Sequence, residues 1–151
     1  MNFNKEMDNY NKKYDEELNK TGLFWAFDRK QFDENKTNKD APDNEYLTIG
    51  DGGYIHKSNL EKFNHFFKVI EPKLKENFVR KIKIEDLIEY ELINYEAYLI
   101  EDYTLVCIKI KSFYPDMDIK DITKLVKKIY DSNINKAIAE KENIDIGNIQ
   151  K

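Results

Sequence analysis

The sequence predicts an α+β fold, a small antiparallel sheet of about four strands packed with three to four helices. Three observations predict it. Apolar residues recur at three- and four-residue spacing in the first twenty positions and again after Ser58, the mark of amphipathic helices. Two β-forming runs, Tyr46 to Ile49 and Tyr54 to His56, flank the glycine cluster of LTIGDGGYIHK. Two further runs, LFWAF and LVCIKI, have the length and residue types of buried strands.

Taken in order, Phe3, Met7, Tyr10, Tyr14 and Leu18 define the first helix, which Thr21 and Gly22 stop. Leu23 to Phe27 reads as a buried strand with Trp25 in the core, and Asp28 as the cap of a brief helix through Phe32. Asp33 to Asn44 is polar with one proline, which predicts a flexible loop. The two β-forming runs then pair as a hairpin with Gly50 to Gly53 as its turn. Ser58 and Glu61 have capping-box spacing ahead of a helix whose stripe is Leu60, Phe63, Phe67, Ile70 and Leu74. Pro72 allows a kink or a second helical piece reaching about Arg80. Ile84 to Tyr98 predicts another helix, and Thr104 to Lys111 a strand ended by Pro115. Asp118 caps a last helix bearing Ile119, Ile122, Val126, Ile129 and Ala137, to about Glu140. The organisation expected is a single α+β domain over residues 1–151, with 141–151 a frayed tail.

Composition narrows the function classes. A chain of 151 residues can bury a core without staples, and an apolar share of 40% with 13% aromatics argues against disorder. Lys and Arg total 25 against 29 Asp and Glu, a net charge of −4 with the signs interleaved. Duplex nucleic acid calls for a concentrated basic face. The densest basic stretch, Lys68 to Lys83, reads as solvated surface. Cys107 is the sole cysteine and sits in an apolar run, so it reads as a small hydrophobe, and no disulfide framework is expected. No apolar run has signal-peptide or membrane-span length, so the expected location is the cytosol, away from membranes.

Few constellations carry chemistry. A phosphate loop needs glycines running straight into a helix so that N–H groups converge on an anion. Here Tyr54, Ile55, His56 and Lys57 intervene, so the cluster reads as a turn, with Asp51, His56 and Lys57 as candidate partner contacts. His56 and His65 lack metal-ligand spacing, so no metal or cofactor is expected, and His65 falls on the polar side of its helix. In IEDLIEYELINYEAYLI, Ile84, Leu87, Ile88, Leu92 and Tyr95 form a stripe, and Glu91 lands inside it. A carboxylate there must be paired, hydrogen-bonded or protonated. Asn94 and Tyr98 flank it, giving a candidate polar cluster of Glu91, Asn94 and Tyr98, with Glu85, Glu89 and Glu96 on the opposite face. Asn133 interrupts the apolar face of the last helix and reads as a bond to a neighbouring element.

Three stretches, GLFWAFDRKQFDEN, IGDGGYIHK and EYELINYEAYLIEDYT, together resemble a family of small, functionally uncharacterised proteins carried by bacteriophages and bacteria. The family's Phe-Ala-Phe and Gln-Phe resemble Trp25-Ala26-Phe27 and Gln31-Phe32, and its glycine turn resembles Asp51-Gly52-Gly53. Its Tyr-Glu-Phe-x-Asn-His-Glu element resembles Tyr90, Glu91, Leu92, Asn94, Tyr95 and Glu96. Leu92 and Tyr95 depart from the family's Phe and His, so no imidazole role carries over. The resemblance spans nearly the whole chain, implies a phage or mobile-element origin without an established activity, and points to Glu91 and Asn94.

Two function classes follow. One is an accessory protein that binds, and inhibits, a host or anti-phage defence protein. The other is a small-molecule-binding or catalytic domain built on the Glu91 cluster and the glycine turn. A third, single-strand binding through exposed aromatics, runs against the net charge.

Overall fold

A computed structural model describes the backbone of residues 2–149 and the side chains of residues 2–140. The fraying expected of 141–151 lies outside the described side chains. The fold is α+β but mostly helical, and among the described residues its sheet has three antiparallel strands rather than four. The chain divides into two compact units, Asn2–Arg80 and the segment from Lys81 onward.

In the first unit, α1 (Phe3–Asn19) starts at Asn2, whose Oδ1 accepts from the Lys5 N–H at 3.3 Å. Its apolar stripe buries Met7 and sets Tyr10 against Phe78, ring centroids 4.8 Å apart, and Tyr14 edge-on to Phe66 at 5.2 Å. Thr21 ends the helix by donating its hydroxyl to the Leu18 carbonyl at 2.6 Å, and Gly22 takes φ 78°. Next come β1 (Phe24–Trp25), α2 (Arg29–Asn35), β2 (Tyr46–Thr48) and β3 (Gly53–His56), in sheet order β1-β3-β2. Asp28 caps α2 as expected, accepting from the Gln31 N–H at 2.8 Å.

Strand alternation decides which residues of LFWAF go inside. Phe24 and Ala26 join Phe32, Ala41 and Tyr46 in a cluster against Tyr54. Trp25 and Phe27 therefore point the other way, and Trp25, expected in the core, is 48% exposed. The polar loop is pinned at its middle by Tyr46, whose hydroxyl donates to the Asn38 carbonyl and accepts from the Asn38 N–H, both at 2.9 Å.

After β3, a 3-10 turn at Lys57–Asn59 leads into α3 (Leu60–His65), a π turn (Phe66–Ile70) and α4 (Glu71–Val79). The expected Ser58 cap is not formed: His56 caps the 3-10 turn, its Nδ1 accepting from the Ser58 N–H at 3.2 Å, and α3 follows Asn59 without a side-chain cap bond. The π turn falls where Pro72 removes an N–H from the helical ladder, and α4 begins with Pro72 in its first turn. The buried stripe differs from the one predicted: Phe66 and Phe78 are inside, while Leu60 and Phe67 are each 40% exposed.

In the second unit, α5 (Ile84–Asn94) stops short of the predicted Tyr98 because Glu96 adopts φ 52°. A single-turn α6 (Ala97–Ile100) follows, ended by Glu101 at φ 55°. The predicted strand at Thr104 to Lys111 is a helix, α7 (Thr104–Phe113), whose first turn Asp102 caps by accepting from the Thr104 N–H (2.8 Å) and hydroxyl (2.7 Å). Val106, Cys107, Ile110 and Phe113 fall on one helical face and are buried; Leu105 and Ile108 point out. Packing on α5 and on α8 (Ile119–Ile149) overrides the β-propensity of LVCIKI. Asp118 opens α8 by accepting from the Lys120 N–H at 2.7 Å, and Ile122, Val126 and Tyr130 are buried along it.

Candidate functional site

The glycine cluster is a turn. The Ile49 N–H donates to the Gly53 carbonyl at 3.0 Å, the Gly53 N–H donates to the Gly50 carbonyl at 2.8 Å, and Gly50, Asp51 and Gly52 take φ 88°, 46° and 81°. Two of the glycines also admit neighbours that a Cβ would displace. A Cβ on Gly52 would stand 2.8 Å from the Phe27 ring, and one on Gly53 would stand 2.7 Å from Ile49 and 3.1 Å from Trp25. Asp51 is exposed at the tip. His56 and Lys57 lie at the other end of β3, roughly 10 Å away at strand rise. His56 is also engaged: Nδ1 lies 2.7 Å from Ser58 Oγ, and Nε2 lies 2.9 Å from Glu45 Oε2. Because Nδ1 accepts from the Ser58 amide, Nε2 carries the ring proton toward the carboxylate. The three candidate contacts thus do not form one patch.

The polar cluster on α5 is half assembled. Glu91 is 2% exposed among Leu87, Ile88 and Leu92, and its Oε2 accepts from Asn94 Nδ2 at 3.1 Å. Tyr98 is not part of that pair, since the left-handed Glu96 turns the chain between Asn94 and Tyr98. Glu96 lies beyond the end of α5, at φ 52°. The Tyr98 hydroxyl instead accepts from Asn133 Nδ2 at 2.7 Å, the cross-element bond expected of Asn133. The Tyr98 ring stacks on Tyr130 with centroids 5.0 Å apart and planes 5° from parallel. Desolvation, aided by the Glu101 carboxylate, raises the Tyr130 hydroxyl above its usual pKa. Cys107 is buried and its thiol is likewise raised by desolvation, as befits a packing residue.

Tyr98 and Asn133 form part of the wall of an open cleft of about 660 Å³, a feature the sequence reading missed. Ile93, Ile134, Ala137 and Ile138 supply its apolar lining, with Glu89 and Lys136 also on it. Ile93 is 71% exposed and Ile138 is 52% exposed. The signal was present in the sequence: Ile93 lies off the stripe of α5, on the face otherwise given to charge. On the short α6, Leu99 and Ile100 are also exposed, at 78% and 55%, but they are not part of the cleft lining. The two glutamates flanking α6 hold positive φ, a conformation costing about 1 to 2 kcal/mol for a residue with a Cβ.

Among the described residues no group of His, Cys, Asp and Glu is arranged to hold a metal ion, and no helix is long and apolar enough to cross a membrane. Residues 3–106 match the family of unknown function DUF7659. The chain belongs to this family. The DUF7659 match takes in the glycine turn, Glu91, Asn94 and Tyr98, while Asn133 and the rest of the α8 wall lie beyond it. No curated protein and no solved structure matches the chain.

Proposed function

We propose that this DUF7659 protein is a protein-binding module that docks an amphipathic helix of its partner in the cleft between α5, α6 and α8. The observation that carries this reading is the cleft itself, open, apolar, and bordered by isoleucines left in water. Glu89 and Lys136, opposite in sign, give the rim a means of orienting a partner. The phage-borne and bacterial proteins that its three motifs resemble support a finer proposal. The partner is a host or anti-phage defence protein in the bacterial cytosol, and docking inhibits it.

The test is capture by the tagged full chain from lysate of a bacterial host, with and without nuclease, read by mass spectrometry. A stoichiometric protein that resists nuclease and is lost with Ile93→Glu and Ile138→Glu is the expected result. Both positions are exposed, so the melting temperature should hold. Retention by both variants would remove the cleft from the interface.

A second reading, small-molecule binding, is favoured by the size of the cleft and by the Tyr98–Asn133 pair on its wall, within the range of roughly 300 to 1,000 Å³ typical of ligand pockets. It predicts a retained small molecule and no protein. Loss of that molecule in Glu91→Gln at unchanged melting temperature would extend the site to the Glu91 pair.

A further inference from the structure

The end of the sheet beside the glycine turn carries a second surface, in the other unit. Trp25 in β1 and Phe27 in the bend just after it are 48% and 78% exposed, and their rings approach Gly53 and Gly52 of the turn. Trp25 stands opposite Gly53 in the strand register, and the Ala26 N–H donates to the Gly52 carbonyl at 2.9 Å. With no Cβ on either glycine, both rings rest on backbone.

The backbone under the rings is fixed from α2. Gln31 Oε1 accepts from the Phe27 N–H at 2.8 Å, and Asn35 Nδ2 donates to the Trp25 carbonyl at 2.9 Å. These bonds occupy groups that an incoming strand would need, so the surface works through its rings rather than by strand addition.

The charges beside the rings are negative. Asp28 follows Phe27 and Asp51 precedes Gly52, both exposed, and the Asp51 side chain has no hydrogen bond or ion pair among the described residues. Arg29, the nearest cation in sequence, is held by Asp33 at 2.9 Å and Asp43 at 2.5 Å. Two π faces with two carboxylates attract a cation and repel phosphate.

We infer that Trp25 and Phe27, with Asp28 and Asp51, form a docking platform for an arginine or lysine side chain on an exposed segment of a partner protein. Trp25 is the only tryptophan, so its emission reports on the platform directly. The probe is a short capped peptide of alternating arginine and glycine, titrated into the full chain beside a glutamate–glycine peptide and oligothymidylate. The arginine peptide alone should give a saturable change in emission. Phe27→Ala should weaken its binding about fivefold, as should the pair Asp28→Asn and Asp51→Asn. Asparagine keeps both the helix cap and the tolerance for positive φ, so that pair removes charge and little else.

Three results would overturn the inference: no saturable change, an affinity indifferent to Phe27→Ala, or an equal response to oligothymidylate. Emission that shifts with protein concentration in the absence of peptide would also overturn it, by assigning the rings to a second copy of the chain.

Discussion

The two units solve the burial problem with different materials. Residues 2–80 rely on rings: Phe24, Phe32, Tyr46 and Tyr54 meet at centroid distances of 5.0 to 5.7 Å, and Tyr10, Tyr14, Phe66 and Phe78 hold the helices. From Lys81 the fully buried side chains are aliphatic, with Leu87, Ile88, Leu92, Val106, Ile110, Ile122 and Val126 all at 0% exposure and the rings of Phe113 and Tyr130 slightly less buried. Beside the buried rings of the short sheet, the exposed rings of Trp25 and Phe27 come so close to Gly53 and Gly52 that a Cβ at either glycine would intrude. Aliphatic packing between helices depends on which face each residue occupies. The first arrangement is sensitive to backbone, the second to periodicity.

The largest effects should come from the aliphatic unit. Ile110→Ala removes a fully buried side chain and should cost about 2 to 5 kcal/mol, read by denaturant unfolding. Ile108→Ala, at 59% exposure, should stay within about 0.5 kcal/mol. In a strand these two residues would share a face and behave alike. Equal losses would therefore undo the helical assignment of α7 and the contrast built on it.

Backbone sensitivity in the aromatic unit predicts a smaller, graded effect. Gly50→Ala meets nothing within 4 Å and should lose only the positive-φ term, about 1 kcal/mol. Gly52→Ala meets the Phe27 ring and the Ala26 carbonyl as well and should lose about 2 to 3 kcal/mol. Adding Phe27→Ala to Gly52→Ala should return part of the difference. If the two glycine variants melted together, the close ring approach would have no energetic weight.

The same contrast explains what the sequence made legible. The hairpin could be read because Asp-Gly between β-formers specifies positive φ at the turn, and α1 because its stripe persists over about four turns. LVCIKI fits a period of two as well as one of 3.6 over its short length; the deciding residues, Asp102 as a cap and Phe113 at the far end of the face, lie outside it. Glu91 could be placed in the core from helical spacing alone. Tyr98 could not be placed with its true partner, because Glu96 and Glu101 at positive φ have no sequence signature. The cleft was missed because one exposed isoleucine on a helix is ordinary and only the fold brings Ile93 near Ile134 and Ile138.

The smallest effect concerns two exposed carboxylates, one in each unit, that differ in what holds them. Asp43 is lowered below its ordinary value of 3.8 chiefly by the hydrogen bond from Arg29, with Lys36 also contributing. Asp102 is lowered by hydrogen bonds from the uncharged Thr104 hydroxyl and amide. In both, a depressed folded value means stability present above the unfolded value and lost as pH falls through the folded one, so both steepen the acid limb below about pH 4. Asp43→Asn and Asp102→Asn should each flatten that limb slightly in melting temperature against pH. Salt separates them. Screening weakens the Arg29 pair and leaves the neutral cap nearly untouched, so 1 M salt should erase most of the Asp43→Asn difference and preserve that of Asp102→Asn. Equal salt sensitivity would mean that Asp43 is held by geometry rather than charge, and that the loop after α2 is fastened to the aromatic unit much as α7 is started in the aliphatic one.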